Sequence, residues 1–262
     1  MSGLSRYRAK ARVALAALRL RIRPWVTNSA GRRIYVDRTD HRAWRMAIHH
    51  GALDEDAVRI WRRLVEACTP DLVLDIGANY GEVVLATRYP PGAEVHAFEP
   101  NPRLLPFLRR SLEEAGLDAT VHGVAVTTST GAAVLHIDPR SSGHSSIERR
   151  QFEAHQLTVP TAPVDDLVTG EHQRCVFKID VEGAEPAVWA SMAGTLAGCS
   201  QWCGLAEYRH HQQQIDLGRV PYRYAVRLPD FAFEPVSDEV LAEVDRKDGG
   251  YAKDIVLSSI PL

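Results

Sequence analysis

Apolar positions along the chain alternate between two patterns. Short apolar runs of strand length occur at Leu72–Ile76, Glu94–Phe98, Thr120–Thr127, Ala132–Ile137, Leu157–Ala162, Cys175–Val181 and Trp202–Glu207. Between them lie stretches with helical spacing. In Asp54–Cys68, Ala57, Trp61, Leu64, Val65 and Cys68 share one face, and Asp54, Glu55 and Asp56 fill the first turn, where the helix dipole favours negative charge. A helix is predicted to begin at Glu82–Arg88. Another runs from Pro102 to about Ala115, with Asn101 as its cap and Gly116 as its stop. A short helix is predicted at Val164–Val168 and a longer one from Ala184 toward Leu196. Strands alternating with helices point to an α/β fold with a mostly parallel sheet and helices on both faces. Arg32–Val36 reads as a short strand. Phe231–Pro235 and Asp254–Ser258 read as an antiparallel pair closing the sheet.

The N-terminal region breaks this rhythm. Residues 1–36 hold no acid and carry Arg6, Arg8, Lys10, Arg12, Arg19, Arg21, Arg23, Arg32 and Arg33. From Leu4 to Arg23 the pattern predicts a basic helix ended by Pro24. The expected division is a basic helical extension over residues 1–50 and one domain over residues 51–262. The extension is either a solvated arm or a dock for a surface or partner.

The whole chain of 262 residues has a formal net charge of −2, so bulk nucleic-acid binding is not expected. Arginine greatly outnumbers lysine, of which there are four, a bias typical of GC-rich bacterial genomes. The four cysteines, Cys68, Cys175, Cys199 and Cys203, are too sparse for a disulfide framework; a reducing, cytoplasmic compartment is expected. Cys199 and Cys203 read as small apolar residues rather than zinc ligands with His210 and His211. The early apolar run Val13–Leu18 is far short of the ~20 residues a bilayer span needs.

The chemistry concentrates where strands end. Leu72–Ile76 runs into a turn, giving Asp75-x-Gly77-x-Asn79-x-Gly81 rather than the Gly-x-Gly-x-x-Gly of a pyrophosphate loop. The ligand this suggests is S-adenosylmethionine, whose amino-acid end has a carboxylate and an ammonium but no phosphate. Gly77 and Gly81 permit close backbone approach, so the N–H groups around Ala78 and Asn79 are expected to meet the ligand carboxylate. Asp75 would hold the turn or, through water, the ammonium. Glu99, 24 residues past Asp75, is placed to accept both ribose hydroxyls. Val124 or Ala125 would touch the adenine. Asp75, Glu99, Asp180 and Glu207 each sit at or just past the end of a strand, and in such sheets those ends line one crevice.

Three segments, Asp75–Gly81, Phe98-Glu-Pro-Asn-Pro102 and Phe177-Lys-Ile-Asp-Val-Glu-Gly-Ala-Glu185, closely resemble the FkbM-type S-adenosylmethionine-dependent methyltransferases. The resemblance spans about Ala52 to Glu207. It implies a Rossmann-like class I methyltransferase domain with a seven-stranded sheet, methylation of an oxygen, and hydroxylated natural products, sugars or glycans as acceptors. Asn101 joins Asp75, Gly77, Ala78, Asn79, Gly81, Glu99 and Val124 as an expected cofactor contact.

Methyl transfer to an alcohol requires alignment and removal of a proton. Asp180, Glu207 and His210 are the candidate catalytic residues. His144, Ser145, Glu182 and His211 are candidates for holding the acceptor. Lys178 reads as an ion-pair partner of the acids. Asp180 and Glu207 could offer two oxygens to Mg²⁺, but no third ligand is evident, and no metal is expected. Transfer to an amino group, or a non-catalytic cofactor-binding role on the same fold, are the alternatives.

Overall fold

The computed structural model describes residues 13–18, 20–21, 23–148, 155–208, 215–244 and 250–262. Residues 13–18 and 20–21 are helical; the earlier part of the predicted basic helix lies outside the described residues. Next come a hairpin of β1 (Trp25–Thr27) and β2 (Arg33–Tyr35), then α1 (His41–Ile48), which the sequence reading did not anticipate. These elements are not a detached extension. Ile34, Val36, Ala43 and Met46 are fully buried in the same hydrophobic cluster as Trp61 and Leu64.

That cluster also receives α2 (Glu55–Cys68), whose amide at Ala57 is capped by the Asp54 carboxylate. It covers one face of a sheet containing β3 (Leu72–Ile76), β4 (Glu94–Phe98), β5 (Thr120–His122), β9 (Arg174–Ile179) and β10 (Gln201–Glu207), with β11 (Tyr222–Arg227), β12 (Ala232–Pro235) and β13 (Tyr251–Ser258) on one side. The order is β12-β11-β13-β10-β9-β3-β4-β5. The strands from β10 to β5 are parallel, and β13 runs antiparallel between β10 and β11. The sheet therefore has eight strands, not seven. The predicted pairing of the last two strands is also corrected. β12 and β13 do not pair along their backbones; β11, where tyrosines and arginines obscure the apolar alternation, lies between them.

On the other face pack α4 (Val164–Leu167), α5 (Glu185–Ser191), α6 (Ala193–Gly198) and α7 (Asp238–Val244) around Phe177, Val188 and Met192. The predicted helix from Ala184 is thus two short ones broken at Met192. The β-rich run Thr120–Thr127 also divides, into β5 and β6 (Ala125–Val126). β6 joins β7 (Gly131–Ile137) and β8 (His155–Ala162) in a second, three-stranded sheet. Helix α3 (Leu105–Glu114) starts later than predicted, because residues 102–104 form a turn.

The helix predicted from Glu82 does not form; residues 79–85 make successive turns. The carbonyls that would propagate it are taken by side chains instead. Tyr89 Oη donates to Val84 O (2.8 Å), Asn28 Nδ2 to Leu85 O (2.9 Å) and Arg62 Nε to Ala86 O (2.9 Å). The Val84 amide goes to Asp75 Oδ2 (3.2 Å). Tertiary partners outcompete the local ladder, and β-branched Val83 and Val84 offer it little support.

Candidate functional site

Strand order reverses between β3 and β9, the position at which open α/β sheets bind ligands. At the carboxyl ends of these strands lies a cavity of about 600 Å³. Gly77, Asn79, Phe98, Glu99 and Val124 border one side. Ser141–Ile147, Asp180, Glu182, Glu207, Arg42, Arg45, Asp54 and Lys253 border the other.

The turn after β3 is built for close packing. Gly77 has φ +85°, and a Cβ there would stand 1.9 Å from the Asp180 carbonyl oxygen, so no larger residue fits. Gly81, at φ +89°, does not face the cavity; a Cβ there would press on Leu108. The expectation that the turn's N–H groups stand open to a ligand is corrected. Gly77 and Ala78 donate to Phe98 O (3.0 and 2.9 Å), Gly81 donates to Ala78 O (2.8 Å), and Asn79 donates to Glu99 Oε2 (2.9 Å). Parallel register sets Ile76 opposite Phe98, which brings the end of β4 directly over the turn.

Glu99 is 5% exposed and borders the cavity. Its other oxygen accepts from the Asn101 amide (2.8 Å). Burial pushes the Glu99 carboxyl up to about 7, against the pull of these two amides. Asn101 is itself buried and absent from the cavity wall, so it positions Glu99 rather than meeting a ligand. Asp75 is likewise behind the wall. It is fully buried, and its Oδ1 lies 3.4 Å from Lys178 Nζ. Lys178 also reaches Asp180 (3.6 Å) and donates to Gly77 O (3.2 Å). Burial opposes the Lys178 charge, but Asp75 and Asp180 prevail and hold its pKa above the usual value. One ammonium thus ties β3, β9 and the turn together. Ala78 is buried beside a small adjoining cavity that Lys178 and Asp180 also border.

A family model for the FkbM methyltransferase domain matches residues 75–237, more than half of the chain. The chain belongs to the FkbM methyltransferase family. It is an S-adenosylmethionine-dependent methyltransferase. No curated protein matches it by sequence. Among solved structures, it is similar to a Bacillus cereus O-methyltransferase in complex with SAH (12% identity, 80% of this chain and 83% of that one, TM-score 0.44). It is also similar to a Streptococcus thermophilus rRNA methylase (9%, 79% and 98%, TM-score 0.42). A third is a Pyrococcus abyssi tRNA (uracil-54, C5)-methyltransferase in complex with S-adenosyl-L-homocysteine (11%, 90% and 44%, TM-score 0.44).

The cavity of this FkbM-family chain fits the cofactor's chemistry. Phe98, Val124, Val126 and Leu135 supply apolar surface suited to a base, beside a buried carboxylate suited to a ribose. Ser145 Oγ is buried at this wall with no hydrogen-bond partner.

The opposite wall gathers charge. Asp180, Glu182 and Glu207 each place a carboxylate oxygen within 4.8 Å of the others, close enough to share a cation. Glu182, just past the end of β9 with a left-handed backbone (φ +60°), is the third carboxylate of this group, on the side of Asp180 as strand alternation places it. Two lysines already serve this cluster. Lys253 Nζ lies 3.3 Å from both Glu207 and Asp54. Burial raises the Asp180 carboxyl, but Lys178, Lys253 and Arg42 outweigh it and hold Asp180 below the ordinary range.

His144 borders the cavity from a 3-10 turn, Ser142–His144, and pairs with Asp138 (3.0 Å). His210 and His211 lie outside the described residues. The cysteines are free thiols, and Cys199 and Cys203 are not in a metal-binding group among the described residues.

Sequence reasoning missed Arg42, Arg45, Asp54 and Lys253. The first two sit on α1. Their signal was Asp40, which caps Arg42 N (2.8 Å), followed by Ala43, Met46 and Ala47 at helical spacing. Asp40 also accepts from Tyr80 Oη (2.7 Å) and Ser142 N (3.2 Å), clamping α1 and the serine loop to the turn. Arg42 pairs with Glu82 at 3.0 Å. For Lys253, the signal was a lysine in a chain with only four.

Proposed function

We propose that this enzyme methylates a hydroxyl oxygen of a small molecule, sugar or natural-product glycoside. The observation that carries this reading is the carboxylate group Asp180–Glu182–Glu207, set across one cavity from the apolar and Glu99-lined side. Bound against Glu99, Phe98 and Val124, S-adenosylmethionine would supply a methyl group already activated for displacement. The chain's task is then to hold an acceptor oxygen in line and take its proton. Asp180, kept ionised by Lys178, Lys253 and Arg42, is a standing proton acceptor at that wall. Glu207, steadied by Lys253, is the second. Ser145, His144 and Glu182 offer donors and acceptors suited to a polyhydroxylated molecule. A hydroxyl matches this wall better than an apolar ring, since the charged groups would otherwise lose water without a partner.

The test is transfer of labelled methyl from S-adenosylmethionine to panels of hydroxylated and amino acceptors, using wild type and Asp180→Asn. Expected is label in an alkali-stable ether product, with Asp180→Asn cutting turnover about a hundredfold while cofactor affinity changes little. Label confined to amines would overturn the oxygen assignment. Equal losses in turnover and cofactor affinity would make Asp180 a binding residue only.

A further inference from the structure

The helical residues 13–18 and 20–21 carry features that the site does not use. Ala16 and Leu20 are buried (3% and 1% exposed), and Leu20 packs into the main hydrophobic cluster. Val13, Leu15 and Leu18 are 38%, 50% and 55% exposed, and they are three of the six large apolar side chains exposed among the described residues. At about 100° per residue, Leu15 and Leu18 project from the side opposite Ala16 and Leu20. A surface helix held only by its inner stripe would present polar residues there. This one presents leucines.

The charge around them has one sign. Residues 1–36 carry nine basic residues and no acid, in a chain whose net charge is −2. Arg21 and Arg23, which follow the leucines in sequence, are exposed. No helix among the described residues is long and apolar enough to cross a membrane, so any lipid contact made here is peripheral. A phosphate-rich nucleic acid would match the arginines but leave both leucines in water. An anionic bilayer matches both, since basic side chains meet headgroups while leucines enter the acyl boundary.

We propose that the outer face of residues 13–18 and 20–21, at Leu15 and Leu18, docks this enzyme on an anionic phospholipid surface. Leu15 and Leu18 insert, and Arg21 and Arg23 hold the headgroups. The test uses the full chain in sedimentation with vesicles of phosphatidylcholine alone and of equal parts phosphatidylcholine and phosphatidylglycerol. Two variants, Leu15→Ser/Leu18→Ser and Arg21→Glu/Arg23→Glu, change exposed side chains only, and S-adenosylhomocysteine binding reports that each is folded.

Expected is binding to the mixed vesicles and not to the neutral ones, weakened more than about tenfold in each variant and by added salt. Equal binding to both vesicle types would overturn the anionic assignment. Binding to mixed vesicles that the leucine variant leaves unchanged would reduce it to bulk electrostatic adsorption and overturn insertion. No vesicle binding, with a gel shift of duplex nucleic acid instead, would overturn the lipid partner altogether.

Discussion

One side of the cavity comes from the ends of β3 and β4 and the stretch after β5, backed by Val126 and Leu135 of the second sheet, whereas the wall facing it is assembled from at least five stretches scattered from Arg42 to Lys253. The first side is stiff and self-satisfied. Its turn amides donate within the protein, its glycine is fixed by the Asp180 carbonyl, and a buried lysine ties it to the next strand. The second is polar, partly exposed and held by ion pairs of intermediate burial. The difference suits a division of labour. A cofactor shared by many enzymes can be met by a fixed surface, while the acceptor wall is free to vary.

The largest effect expected is on the stiff side. Lys178→Met leaves Asp75 buried without its cation and should destabilise the fold by about 3–5 kcal/mol, seen in denaturant unfolding. Asp75→Asn combined with it should recover much of that loss. A single variant as stable as wild type would show that the lysine does not bind the halves together. Gly77→Ala comes next. Its Cβ meets backbone rather than a flexible side chain, at a positive φ, and a loss of about 2–4 kcal/mol is expected by the same measurement.

How legible each side was in the sequence follows from this construction. Asp75, Gly77, Asn79 and Glu99 were readable because a strand, a turn and the next strand end lie close in the chain and constrain one another. What spacing could not tell was which of them face the ligand. Asp75 and Asn101 have ligand-like positions but are buried behind the wall, one under Lys178 and one under Glu99. The helix after Gly81 failed because Asn28, Arg62 and Tyr89, remote or irregularly placed in sequence, claim its carbonyls. Arg42 and Lys253 reach the site only through tertiary packing, and neither has a local motif. The parallel strands, each a continuous apolar run, were legible; β11, half polar and near the edge, was not.

Smaller effects separate the sides further. Glu99→Gln should weaken S-adenosylhomocysteine binding by roughly thirtyfold, the loss of one charge-assisted acceptor, with stability little changed. Lys253→Met should leave that affinity within about twofold while raising the acceptor KM several-fold, since its ion pairs among the described residues are with Glu207 and Asp54, on the charged wall. If Lys253→Met weakened cofactor binding as much as Glu99→Gln, the two walls would not be separate.

Glu99, whose carboxyl burial pushes up to about 7, is the expected partner of the cofactor's ribose. Ribose hydroxyls donate to the ionised carboxylate, so binding favours loss of its proton. The sign follows: affinity should fall as pH drops below about 7 and level off above it, with a limiting slope of about tenfold per pH unit. The measurement is calorimetric titration of the folded protein with S-adenosylhomocysteine between pH 6 and 8 in buffers of different ionisation enthalpy, repeated with Glu99→Gln. Proton release on binding near pH 7, tightening with pH and lost in Glu99→Gln, is the predicted result. A pH-independent affinity that the variant shares, or no binding at all, would show that Glu99 does not receive the ribose.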